Sequence, residues 1–126
     1  MSASWKKAEK AARSARTLLA TGDADGAINR AYYAIFTAAR VALAAIDPDL
    51  EVTKSHATVI RRFGKHLVKE RGLDVAFGRL LAKTDHARRT ADYEAEEITQ
   101  GEAERVLDEM DRLLAAVEDF LKRAKR

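Results

Sequence analysis

Residues 30–40 read Arg-Ala-Tyr-Tyr-Ala-Ile-Phe-Thr-Ala-Ala-Arg, and this stretch decides the fold. Apolar residues recur in it, and on both sides of it, at intervals of three and four positions. That spacing is typical of an α-helix that buries one face. The apolar stripe consists of Ile28, Tyr32, Ile35, Ala39, Ala42 and Ile46. The pattern predicts a long helix that packs against other helices.

A second stripe of the same helix is polar and contains Arg30, Tyr33, Thr37 and Arg40. Residues three or four positions apart share a helix surface, so two cations flank a phenol and a hydroxyl. Because guanidinium groups pair well with phosphate, the stripe is a candidate site for an anionic group. A solvent-exposed helix face with a half-exposed tyrosine has the same pattern, and this alternative stays open.

The helical pattern continues along the whole chain with short breaks. Gly22, Pro48 and Gly72 interrupt it, as helix-ending residues do, and Asp23 and Asp74 are suited to cap the helices that follow. We expect helices over residues 3–20, 24–46, 54–70, 74–92 and 100–124. No segment alternates with a period of two for long enough to form a strand, and short connections favour antiparallel neighbours. The predicted fold is an all-α antiparallel bundle of about five helices.

Composition limits the classes of function. We expect a single domain over residues 1–126, which is long enough for a hydrophobic core. The chain has no cysteine and three scattered histidines, so we expect no metal and no cofactor. It shows no apolar run of membrane-spanning length and no signal-peptide core, which predicts a cytoplasmic protein without membrane contact. A net charge of +3 and a pI of about 9.3 permit nucleic-acid contact without requiring it.

Three short blocks carry a resemblance to a known family. They are residues 30–40, then Thr-Lys-Ser-His at 53–56 with Phe-Gly-Lys-His at 63–66, then Arg-Arg-Thr-Ala-Asp-Tyr at 88–93. In this order they resemble the small stand-alone HEPN proteins of bacteria and archaea (higher eukaryotes and prokaryotes nucleotide-binding). The resemblance runs from about residue 4 to the C-terminus. It implies a helical bundle that commonly pairs with a second copy, and a minimal nucleotidyltransferase partner encoded beside it, as in toxin–antitoxin pairs.

Active members of that family are metal-independent ribonucleases, so the resemblance also implies where a catalytic site should lie. Their usual motif is an arginine followed, after four to six residues, by a histidine. Arg88 and Arg89 stand at the expected place, but Tyr93 and acidic residues follow where the histidine would be. Arginine–histidine pairs with this spacing occur at positions 61 and 66 and at positions 79 and 86, which are not the expected place. The usual ribonuclease mechanism therefore does not transfer directly.

The candidate catalytic residues are Arg89, Asp92 and Tyr93. The candidate residues for binding RNA or a nucleotide are Arg30, Tyr33, Arg88, Arg89 and His56. We expect the arginines, Tyr33, Asp92 and Tyr93 to gather around one positive cleft near the axis of a dimer. For Asp92, the structural alternative is an ion pair with a preceding arginine that holds the fourth helix against its neighbours. For His56, it is a hydrogen bond to a nearby backbone group.

Three functions fit these observations. The first is an interaction module with a minimal nucleotidyltransferase partner that binds RNA, a nucleotide or the partner protein. The second is a metal-independent ribonuclease with a divergent arginine, aspartate and tyrosine site. The third is a non-catalytic nucleotide-binding scaffold. We also expect a homodimer. Tyr32 and Ile35 form one apolar side of the second helix, Phe36 and Leu43 add apolar surface on another side, and a second copy could cover it.

Overall fold

The computed structural model describes residues 2–91 and 98–124, and for residues 89–91 it describes the backbone alone. Within these ranges the chain forms five α-helices and no strand, which confirms the all-α prediction. The helices are α1 (Ala3–Ala20), α2 (Ala24–Ile46), α3 (His56–Phe63), α4 (Val75–Ala91) and α5 (Gln100–Ala124). A 3₁₀ turn over Pro48–Leu50 follows α2, and a π-helical segment over Gly64–Lys69 extends α3.

The turn between α1 and α2 follows from two residues. Gly22 has a φ of +88°, a left-handed conformation that favours glycine. The N–H of Gly22 bonds to the carbonyl of Leu19 at 3.0 Å, and the N–H of Asp23 bonds to that of Leu18 at 2.9 Å. This pair of bonds is the Schellman ending of a helix. Asp23 then caps α2, because its Oδ1 accepts from the N–H of Gly26 at 2.9 Å.

The third helix departs from the prediction at both ends. The helix begins at His56 instead of residue 54, because the hydroxyls of Thr53 and Ser55 take local backbone bonds first. Thr53 Oγ1 accepts from the N–H of Ser55 at 3.1 Å, and Ser55 Oγ accepts from that of Thr58 at 3.2 Å. At the other end the backbone changes to π-helical geometry from Gly64 onward. These caps place His56 in the first turn of α3.

Helix α2 lies at the centre of the bundle. It contacts α1, α3, α4 and α5, and Ile35 and Leu43 on it are fully buried. Phe36 is also buried inside the chain, so Phe36 and Leu43 do not supply the unburied apolar surface on which we based the homodimer. Of the helices that the structure describes, none is both long and apolar enough to span a membrane.

Candidate functional site

His56 lies where the start of α3 meets α2. Its ring stacks on Phe36, with ring centroids 4.5 Å apart and an interplanar angle of 22°. The imidazole is 29% exposed, so one part of it is held by packing while another part reaches solvent. Stacking on a buried aromatic ring restricts the plane of the imidazole, and a binding or catalytic group needs such support.

Asp85 of α4 contacts the same histidine from the interior. His56 Nδ1 lies 3.1 Å from Asp85 Oδ1, and the aspartate side chain is only 8% exposed. Asp85 follows the fully buried Leu81 by one helical turn and therefore faces inward. A buried carboxylate is costly unless it receives hydrogen bonds, so its contact with the imidazole stabilises this arrangement.

Arg88 completes the cluster from the surface, one turn after Asp85. Its Nη1 lies 3.0 Å from Nδ1 and 3.4 Å from Nε2 of His56. Nδ1 and Nε2 are bonded to the same ring carbon, and their hydrogen-bonding directions diverge in the plane of the ring. Because Nη1 of Arg88 is close to both nitrogens, it does not lie along the hydrogen-bonding direction of either one. Arg88 is exposed, and a guanidinium has five N–H donors, so those that do not contact the ring are available to a phosphate oxygen.

Tyr32 joins α2 to this cluster. Its side chain is buried, and burial raises the pKa of the Tyr32 hydroxyl, while the nearby charge of Arg88 lowers this pKa in part. The phenol is therefore a neutral hydrogen-bonding group beside the cation. We name Tyr32, Phe36, His56, Asp85 and Arg88 the histidine cluster.

The polar stripe predicted on α2 lies next to the histidine cluster. The guanidinium carbon of Arg30 lies 4.8 Å from the ring centroid of Tyr33, and the tyrosine is 46% exposed. This contact is a cation–π pair. Tyr33 precedes Phe36 by three residues, and Arg40 follows Phe36 by four, so both lie on the same side of α2 as Phe36.

Arg40 adds an unusual feature. Among the residues whose side chains the structure describes, Arg40 Nε is the one buried side-chain polar atom without a hydrogen bond. A buried donor without an acceptor costs about 1–3 kcal/mol. An anion that reached this part of the stripe would supply the missing acceptor.

The predicted site residues have three outcomes. Arg88 and His56 lie together, and Arg30 and Tyr33 contact each other. The side chain of Arg89 lies outside the described part of the structure, and so do Asp92 and Tyr93. Their predicted roles stay predictions.

Sequence reasoning missed three members of the histidine cluster, Tyr32, Phe36 and Asp85, as parts of a site. The sequence pattern places Tyr32 in the apolar stripe of α2 and Phe36 on a second apolar side of the same helix. Asp85 had a usable signal, because a charged residue four positions after Leu81 lies on the core side of α4. No set of three or more potential metal ligands clusters in the described residues.

The chain is similar to known proteins over most of its length. Residues 1–120 match the HEPN domain family. The chain is 36% identical to "Putative toxin MJ0605" of Methanocaldococcus jannaschii over 99 residues, which cover 75% of this chain and 72% of that protein. It is 33% identical to "Putative toxin MJ0142" of the same organism over 105 residues, 81% of this chain and 68% of that protein. "UPF0332 protein glr0978" of Gloeobacter violaceus is 33% identical over 87 residues, 69% of this chain and 67% of that protein. No solved structure matches the chain.

Proposed function

Because this chain belongs to the HEPN domain family, we propose that it is a toxin-like HEPN module that binds RNA or a nucleotide through phosphate contacts. The proposed site is formed by the histidine cluster and the polar stripe of α2. A minimal nucleotidyltransferase encoded beside it is the proposed partner in a two-gene system. The observation that carries the proposal is the contact between Arg88 and His56.

The charges of the site favour an anionic ligand. Arg30 and Arg88 are exposed, and Arg40 is half-buried with an unsatisfied Nε. Asp85, the carboxylate that belongs to the cluster, is buried behind His56. Among the described side chains, the charges on the solvent side of the site are therefore positive, and positive charge attracts phosphate.

The test compares two arginine variants in RNA binding. We expect Arg88→Ala to weaken binding of a fluorescent single-stranded RNA and to reduce the slope of log affinity against log salt by about 0.7, the value for one lost phosphate contact on a single strand. Arg13→Ala is the matched control, because Arg13 is also exposed but lies on α1, which contributes no residue to the proposed site. Equal losses in both variants, measured by fluorescence anisotropy, would refute the site.

A metal-independent ribonuclease is the second candidate, and the position of His56 favours it. Arg88 lacks a histidine at the usual spacing along α4, but α3 supplies one at 3.0 Å. In such a reaction the histidine takes the proton of a ribose 2′-hydroxyl, whose oxygen attacks the adjacent phosphorus. The bond to the 5′-oxygen breaks, that oxygen takes a proton from water, and a 2′,3′-cyclic phosphate results. The histidine then returns its proton to the solvent. Arginine stabilises the added charge on the phosphorus oxygens.

Cleavage of RNA in the presence of EDTA, lost in His56→Ala, distinguishes this candidate from binding alone. The alternative catalytic set of Arg89, Asp92 and Tyr93 is tested in the same assay by Asp92→Asn. Co-purification with an adjacent nucleotidyltransferase distinguishes the two-gene module from a nucleotide-binding scaffold.

A homodimer with the site near its axis is also part of this proposal. Across the described residues, the large apolar side chains that are exposed are Tyr33, Val52 and Val75. An interface that included Tyr33 would contain part of the polar stripe and would place two copies of the histidine cluster near each other. Light scattering at micromolar concentration tests the prediction, and a monomeric mass would contradict it.

A further inference from the structure

The two contacts of His56 Nδ1 cannot both be hydrogen bonds. Asp85 Oδ1 lies 3.1 Å from this nitrogen and Arg88 Nη1 lies 3.0 Å from it. A carboxylate needs a proton on Nδ1, whereas a guanidinium, which has no acceptor, needs a lone pair there. In a neutral imidazole, the two partners therefore select opposite tautomers.

Burial decides between the two partners. Asp85 is almost completely buried, and a hydrogen bond to a charged acceptor contributes more in such surroundings than between neutral groups. Arg88 is exposed, so water replaces a lost hydrogen bond at little cost. Its nearly equal distances from both ring nitrogens also fit a position against the ring better than a bond along one lone pair. The proton therefore belongs on Nδ1, and Nε2 carries the lone pair.

We propose that Asp85 is a positioning residue that holds His56 in its Nδ1–H form, so that Nε2 accepts a hydrogen bond from a ribose 2′-hydroxyl of bound RNA. This inference rests on the proposed binding of RNA, and it names the feature that the site recognises. It assigns His56 the role of distinguishing RNA from DNA, since the 2′-hydroxyl is the group by which a protein separates the two.

The chemistry of the neighbours supports a ribose hydroxyl as the ligand of Nε2. An unprotonated Nε2 accepts hydrogen bonds and cannot donate to a phosphate oxygen. Arg88, beside the ring, has donors and no acceptor, so it suits the phosphate. In RNA the 2′-hydroxyl and the 3′-phosphate are attached to neighbouring carbons of one sugar. Arg88, which only donates, therefore matches the phosphate, and Nε2 of His56, which accepts, matches the neighbouring 2′-hydroxyl.

The tautomer is tested in the free protein, without any nucleic acid. Nitrogen chemical shifts of the His56 ring, measured by two-dimensional NMR at a pH where the ring is neutral, identify the protonated nitrogen. We expect Nδ1–H in the wild-type protein and a shift of population toward Nε2–H in Asp85→Asn. A wild-type ring protonated on Nε2, or a tautomer unchanged by Asp85→Asn, would overturn the role of Asp85.

The recognition of ribose is tested with three oligonucleotides of one sequence: single-stranded RNA, DNA and 2′-O-methyl RNA. The methylated strand keeps the RNA-like sugar shape but has no hydroxyl proton to donate. We expect the wild-type protein to bind RNA several-fold, up to about tenfold, more tightly than either of the others, as for one hydrogen bond. In His56→Ala the three affinities should agree within about twofold, and Asp85→Asn should reduce the preference.

Arg88→Ala provides the contrast, because it should weaken binding of all three strands by a similar factor. Circular dichroism checks that each variant is folded. If His56→Ala does not fold, Asp85→Asn still tests the preference for RNA. If the wild-type protein binds RNA and 2′-O-methyl RNA equally, the inference is wrong while the proposed RNA binding stands. If no strand binds, the proposed function and the ribose contact are both wrong. The NMR experiment still tests whether Asp85 sets the tautomer of His56.

Discussion

Tyr32 shows how burial acts on a single side chain. Burial raises the pKa of its hydroxyl in the folded protein, whereas the unfolded chain has the ordinary value near 10. The folded protein therefore holds the phenol proton more tightly than the unfolded chain does. The contribution of this proton to the stability of the folded state is fully present below about pH 10 and is lost as the pH rises through the higher folded pKa.

We therefore predict that Tyr32→Phe makes unfolding less sensitive to alkaline pH. The variant should be within about 1 kcal/mol of the wild-type protein at neutral pH, and it should lose less stability between about pH 9 and pH 11. Guanidinium unfolding at the two pH values measures this difference. Tyr33→Phe is the control, since Tyr33 is half-exposed, and an equal effect of both variants would contradict the prediction.

Individual residues of the site were predictable from the sequence where local spacing or the family resemblance indicated them, as the resemblance did for Arg88. Arg30 and Tyr33 were found because they lie three positions apart on one helix, and they do contact each other. The contact between His56 and Asp85 joins residues 29 positions apart, and no local rule predicts which inward-facing carboxylate meets which histidine. Long-range pairs of this kind depend on how helices pack.

Helix boundaries were more predictable, because helix ends depend on nearby residues. Asp23 and Asp74 cap α2 and α4, as expected from their positions. The start of the third helix was misplaced because Thr53 and Ser55 both have hydroxyls that compete for backbone N–H groups. The π-helical geometry of Gly64–Lys69 was not predicted either, because its side-chain pattern differs little from that of an α-helix.

Two glycines on different helix ends give a prediction at this scale. Gly22→Ala places a side chain at a φ of +88° and should lower the free energy of unfolding by about 1 kcal/mol. Gly101→Ala lies in the first turn of α5 with no atom within 4 Å of the added carbon, and it should raise stability by up to about 1 kcal/mol. Denaturant unfolding of both variants measures the difference. Effects of the same sign would contradict the assigned backbone conformations.

At the scale of the whole molecule, the number and order of helices could be read from periodicity, but their arrangement could not. Helix α2 was expected to have apolar surface left over for a second copy. It instead lies between the other helices, which bury that surface within one chain. Periodicity shows how much of a helix is apolar, but not which neighbour covers it.

The central position of α2 predicts that the described helices unfold together. Ile35 is 0% exposed in the middle of this helix, so Ile35→Ala should lower the free energy of unfolding by about 2–5 kcal/mol, and Ile35→Val by about 0.5–1.5 kcal/mol. Trp5, the one tryptophan of the chain, is buried on α1 and reports by fluorescence, while circular dichroism reports on all helices. Because α2 contacts both α1 and α5, we expect the two signals to shift together in each variant. If tryptophan fluorescence kept its wild-type midpoint while the helical signal moved, α1 would not depend on the packing of α2.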